Sequence, residues 1–133
     1  MTKAEIDFFE KTQTQLEGMY EDISLLSKKS QNDAVSLFKL KFINKILIDS
    51  NKVLGKNYKP FEDFEIFEES NIPTNSDSVM ILTQYINCFE KFRGDNVFST
   101  RTFDGSKAVY NWYWITDNNK TGIYETSEPK KIK

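Results

Sequence analysis

The chain has 133 residues, 18 basic and 20 acidic side chains, a single cysteine and no histidine. Those absences exclude a histidine-based triad, an imidazole general base, a Cys/His zinc site, an internal disulfide and a CxxC redox pair. At 38% hydrophobic and 29% charged residues the composition is that of one ordinary globular domain spanning 1–133. The aromatic share is high, with eleven Phe, six Tyr and two Trp, so large rings must build much of the core or be displayed for binding.

The N-terminal helix starts at a capping box, Thr2-Lys3-Ala4-Glu5, with Thr2 as N-cap and Glu5 at the third helical position. Ile6, Phe9, Leu16, Met19, Tyr20, Ile23 and Leu26 follow at three- and four-residue spacing, interrupted by Gln13. This is a core-facing stripe ending near Lys28. Gly18 in mid-helix costs about 1 kcal/mol against Ala, which points to close packing there. Ser30-Gln31-Asn32-Asp33 is a short polar connection, so the next helix, Ala34–Leu54, returns antiparallel with Gly55 just past its end. Val35, Phe38, Phe42, Ile46, Val53 and Leu54, widened by Leu37, Leu40, Ile43 and Leu47, make it apolar around most of its girth. That pattern predicts the central helix, with Lys41, Lys45, Asp49 and Lys52 left for solvent.

Residues 60–90 hold seven acidic side chains and no basic one, whereas 34–59 hold six lysines against one aspartate. Within the acidic block, Phe61, Phe64 and Phe67 alternate with Glu62, Asp63, Glu65, Glu68 and Glu69. The spacing predicts a short acidic helical segment laid over the hairpin, stopped before Pro73. Its carboxylates form an acidic docking edge for the chain's own lysine block or for a basic protein. A third long helix runs from a cap at Asn75 or Ser76 to Gly94, with Val79, Leu82, Tyr85, Ile86, Phe89 and Phe92 as its face. Asp77 at its start and Lys91 with Arg93 at its end suit the helix dipole.

After Asn96 the period shortens to two. Val97–Phe103, Ala108–Thr116 and Gly122–Thr126 read as strands, with Asp104-Gly105 and Asp117–Lys120 as turns. The expected fold is therefore α+β: an N-terminal three-helix bundle (1–94) followed by a C-terminal three-stranded antiparallel meander (95–128) packed on it, with a flexible tail at 129–133. The Asp117–Glu128 spacing also resembles that of a helix–loop–helix calcium loop, but the strand-like flanks favour a wide hairpin turn, and no metal or cofactor is expected.

Alternation along the second strand puts Tyr110, Trp112 and Trp114 on one face and Val109, Asn111, Tyr113 and Ile115 on the other. The leading functional expectation is non-catalytic protein binding by a small adaptor, inhibitor or assembly factor, or by a homodimer. Its contacts are expected at Tyr110, Trp112 and Trp114 and at the acidic edge of Glu62, Asp63, Glu65, Glu68 and Glu69. A second reading stacks single-stranded nucleic acid on Tyr110 and Trp112, with Arg101 and Lys107 near the phosphates. A carboxylate-dependent enzyme is the third. Cys88, on an apolar helix with no histidine to activate it, reads as a boundary thiol. The charged N-terminus and the lack of a long apolar run predict neither a secretory signal nor a membrane span, and a cytoplasmic location.

Overall fold

The computed structural model describes residues 1–116 and 122–130. Three helices, α1 (Lys3–Ser30), α2 (Leu37–Tyr58) and α3 (Asn75–Asp95), precede three strands, β1 (Val97–Asp104), β2 (Lys107–Trp114) and β3 (Glu125–Thr126). The sheet is antiparallel in the order β1-β2-β3, so the layout is the expected α+β. The Asp117–Lys120 turn, and with it the first five positions of the calcium-like spacing, lies outside the described residues.

The capping box at the start of α1 is formed: Glu5 N–H donates to Thr2 Oγ1 at 3.2 Å, and Thr2 N–H donates to Glu5 Oε1 at 3.0 Å. Ile6, Phe9, Leu16 and Ile23 are buried, as the stripe requires. Gly18 is the exception to the reading, since a Cβ there would meet nothing within 4 Å; it is an exposed helix glycine and not a packing device. Each of the three helices packs on the other two, so α2 shares the centre with its neighbours although its girth of apolar residues implied a central place. The excess on α2 points outward. Leu40, Ile43, Ile46, Leu47 and Leu54 form its buried side, while Phe38 is 72% and Phe42 49% exposed, their rings in edge contact 5.0 Å apart.

Gly55 adopts φ 63°, ψ −172°, a conformation essentially reserved for glycine. It kinks α2 after Leu54, as expected, but one further turn to Tyr58 follows. The cap of α3 lies one residue earlier than expected: Thr74 Oγ1 accepts from Asp77 N–H at 3.2 Å. The two ends of the α1–α2 connection and of the approach to α3 are stitched by backbone bonds, Val35 N–H to Pro73 O at 3.0 Å and Asn75 N–H to Asp33 O at 2.9 Å.

The segment between α2 and α3 is not helical. It is an irregular strap held to α2 by two asparagines seven residues apart. Asn44 donates from Nδ2 to Phe67 O at 2.8 Å and accepts from Phe67 N–H at 3.0 Å, and Asn51 Nδ2 donates to Glu65 O at 3.0 Å. Side-chain amides thus satisfy backbone groups that a helix would have paired internally. Phe61, Phe64 and Phe67 still point inward as an edge-to-face ladder, with centroids 6.0 and 5.1 Å apart.

The sheet meets the bundle at one end. Val97 and Trp114, partners across the first ladder, are buried, and Trp114 stands edge-on to Phe9 at 5.0 Å. β3 is far shorter than expected, pairing only Trp112 with Thr126 and Tyr113 with Glu125. The rest of the β1–β2 hairpin has no third strand against it among the described residues. Gly105, with φ 65°, supplies the backbone of its tight turn. Among the described residues, no helix is long and apolar enough to cross a membrane.

Candidate protein interface

Antiparallel register decides which hairpin side chains share a face. Val97/Trp114, Ser99/Trp112, Arg101/Tyr110 and Phe103/Ala108 are paired on one face. The other carries Phe98/Tyr113, Thr100/Asn111, Thr102/Val109 and Asp104/Lys107. The first face is graded along its length. Trp114 is fully enclosed, Trp112 is half-buried against the core, and Tyr110 and Phe103 are 58% and 63% exposed. The Arg101 guanidinium lies over the Phe103 ring at 5.2 Å.

Of the three aromatic residues expected to make the contacts, Tyr110 is displayed, Trp112 is at the boundary and Trp114 is core. The acidic strap lies along α2. Phe103, missed in the sequence because it precedes the turn, joins Tyr110 through the register. The four residues of the nucleic-acid reading divide: Arg101, Tyr110 and Trp112 share a face, while Lys107 belongs to the opposite one.

Trp114 is fixed by a polar cluster that the sequence reading did not single out. Its Nε1–H donates to Glu10 Oε1 at 2.9 Å, and Thr126 Oγ1 donates to the same oxygen at 2.8 Å. Arg93 grips both carboxylate oxygens of Glu10, at 3.3 and 3.2 Å, and also donates to Gln13 and Thr126. Its guanidinium packs against both Phe9 and Trp114, 5.2 Å from each centroid. Gln13 Nε2 donates to Glu90 Oε1 at 2.9 Å, and Glu90 Oε2 receives Lys130 N–H at 3.1 Å. Residues 129–130, expected in a free tail, are thus docked on α3. Burial pushes the Glu10 carboxyl up, but hydrogen bonds from Arg93, Thr126 and Trp114 outweigh it and hold it below its ordinary range. The cluster is a clamp between helices and sheet. The signal for it was Gln13, a polar residue inside an apolar stripe and here 5% exposed.

The five acidic residues of the strap are all exposed, and only Glu65 has an ion pair among the described residues, with Lys59 at 3.4 Å. Cys88 is half-buried, and burial pushes its thiol up. Burial also pushes the Tyr85 hydroxyl up to about 12, where it donates to Asn51 Oδ1 at 2.7 Å. A shallow cleft of about 310 Å³ opens between Met1, Phe8, Val53 and Phe92. Among the described residues, no three metal-ligating side chains converge.

Comparison with protein-family models, with curated proteins and with solved structures finds no match to this chain.

Proposed function

We propose that the chain is a non-catalytic protein-binding module whose projecting hairpin is the recognition element. The observation that carries this reading is the exposed set Arg101, Phe103 and Tyr110, continued by Trp112 toward the core. Arg, Tyr and Trp are the residue types that dominate the energy of protein interfaces, and Trp112, next to the clamped Trp114, gives the set a rigid base. Among the described residues the outer edge of β1 pairs with no other strand, so an incoming extended segment has backbone donors and acceptors to meet as well as side chains. The reading moves the expected interface outward along the strand, from Trp114 to Phe103.

The test is capture of partners from a lysate of the native cell with three versions of the full chain: wild type, Phe103→Ala/Tyr110→Ala, and Thr100→Ala/Thr102→Ala on the opposite face. Loss of the same captured proteins with the first variant alone supports the reading. A capture pattern indifferent to Phe103 and Tyr110 would sink it. Salt-dependent binding of single-stranded oligonucleotides, abolished by Arg101→Glu, would transfer the surface to nucleic acid.

A further inference from the structure

A second surface lies on α2, away from the hairpin. At about 100° per residue, Ile48, Lys41, Lys52, Lys45, Phe38 and Phe42 follow one another, in that order, around an arc of about 120°. The arc lies opposite the buried positions Leu40, Ile43, Leu47 and Leu54. All six of its residues are exposed, and the half-buried Asp49 falls between the two rings. Among the described residues none of the three lysines makes an ion pair. Phe38 and Phe42 are in edge contact, so the rings form a patch and not two scattered apolar residues. The strap anchors Asn44 and Asn51 lie on the other side of the lysines, more than a right angle around the helix from Phe38. The lysine row therefore stands between the rings and the segment that carries the acids.

We infer that this arc rests on an anionic lipid surface, with α2 lying flat against it. The chemistry of the arc selects that partner. It offers three ammonium groups and exposed hydrocarbon, with Asp49 as its one carboxylate, and it holds none of the Arg, Tyr or Trp anchors that dominate protein interfaces. A bilayer with anionic headgroups asks for those two things alone: positive charge at the phosphates and apolar side chains at the acyl boundary. Lysine stems bury in that boundary while their charges reach the headgroups. From Phe38 to Lys52 the arc runs about 20 Å along the helix, so rings and charges meet one plane together. The strap, whose carboxylates such a surface repels, is anchored on the flank away from the rings. The contact is attachment to a surface and not a span. It shares no residue with the hairpin face, so the two assignments stand or fall separately.

The test is co-sedimentation of the full chain with vesicles of phosphatidylcholine alone and of equal parts phosphatidylcholine and phosphatidylserine. The versions compared are wild type, Lys41→Glu/Lys45→Glu, Phe38→Ala/Phe42→Ala, and Phe103→Ala/Tyr110→Ala on the hairpin. Circular dichroism checks that each variant keeps its helices. Wild type is expected to bind the mixed vesicles, to ignore the neutral ones and to be released by added salt. Both α2 variants are expected to partition at least about tenfold more weakly, and the hairpin variant to partition like wild type. Wild type that stays off the mixed vesicles, or either α2 variant binding them as well as wild type, would overturn the inference. So would a wild-type dimer, seen by light scattering, that Phe38→Ala/Phe42→Ala dissolves, which would assign the arc to a second copy. Bare vesicles together with a lysate protein captured only when Phe38 and Phe42 are present would assign it to a protein partner instead.

Discussion

The indole N–H of Trp114 and the carboxylate of Glu10, 104 positions apart in the chain, meet at 2.9 Å. Through that bond the last residue of β2 is tied to the first helix, and Arg93, packed against Phe9 and Trp114, completes the joint. Replacing Glu10 by Ala leaves a buried guanidinium and a buried indole N–H short of acceptors. The expected loss is about 2–3 kcal/mol, tempered because the Glu10 side chain is 41% exposed and water reaches it. Urea unfolding should show a lower midpoint at unchanged slope.

Acid should act through the same carboxylate. Its pKa is depressed in the folded chain, so its contribution to stability is present above the ordinary carboxyl value of 4.5 and fades as pH falls through the lower folded value. Wild type should lose midpoint steadily below that point. Glu10→Gln should begin less stable and show a flatter decline over the same window; an equally steep decline would place the acid sensitivity elsewhere.

The two tryptophans should separate spectroscopically. Trp114 is fully enclosed and Trp112 half-exposed, so acrylamide should quench only part of the emission. Trp112→Phe should leave a nearly unquenchable signal, and Trp114→Phe a readily quenched one. Comparable quenching in both variants would contradict the graded burial of this face.

Glycine substitutions should have opposite signs. At Gly55 the left-handed, extended backbone penalises any Cβ although space is open around it, so Gly55→Ala should cost about 1–3 kcal/mol. At Gly18, mid-helix and exposed, Ala should add about 0.5–1 kcal/mol. Thermal melts of the two variants shifting in the same direction would contradict the backbone assignments.

Releasing the strap should be a local event. Asn44→Ala removes two hydrogen bonds to Phe67 and should raise the hydrogen-exchange rate at Phe67 N–H and open residues 61–69 to protease. The helices should stay protected. Protection of Phe67 unchanged in the variant would mean that the phenylalanine ladder, and not the asparagine, holds the strap.

Local chemistry was legible in the sequence. The Thr2–Glu5 capping box, the α1 stripe, the Gly55 break and the Asp104-Gly105 turn all follow from spacing and backbone preference. What failed was the side of a helix that faces outward. Phe38 and Phe42 fit an apolar face on α2, and only tertiary packing shows that this face has no covering element among the described residues. The Phe61–Phe67 repeat matched a helical period of three because a bent strap can also bury every third ring. The Glu10–Arg93 clamp joins four distant segments, and no local pattern announces such a meeting beyond the lone polar Gln13. Alternation correctly grouped Tyr110, Trp112 and Trp114, yet where the core ends along a strand depends on how far the sheet overhangs the bundle.

That overhang is the basis of the proposed interface, and site-specific photo-crosslinking in the native cell tests it most directly. A benzophenone side chain placed at Phe103, on the aromatic face, should form a discrete adduct with another protein. The same probe at Val109, on the opposite face, should not. Adducts of equal yield from both positions, or none from Phe103, would contradict the assignment of this face as the binding surface.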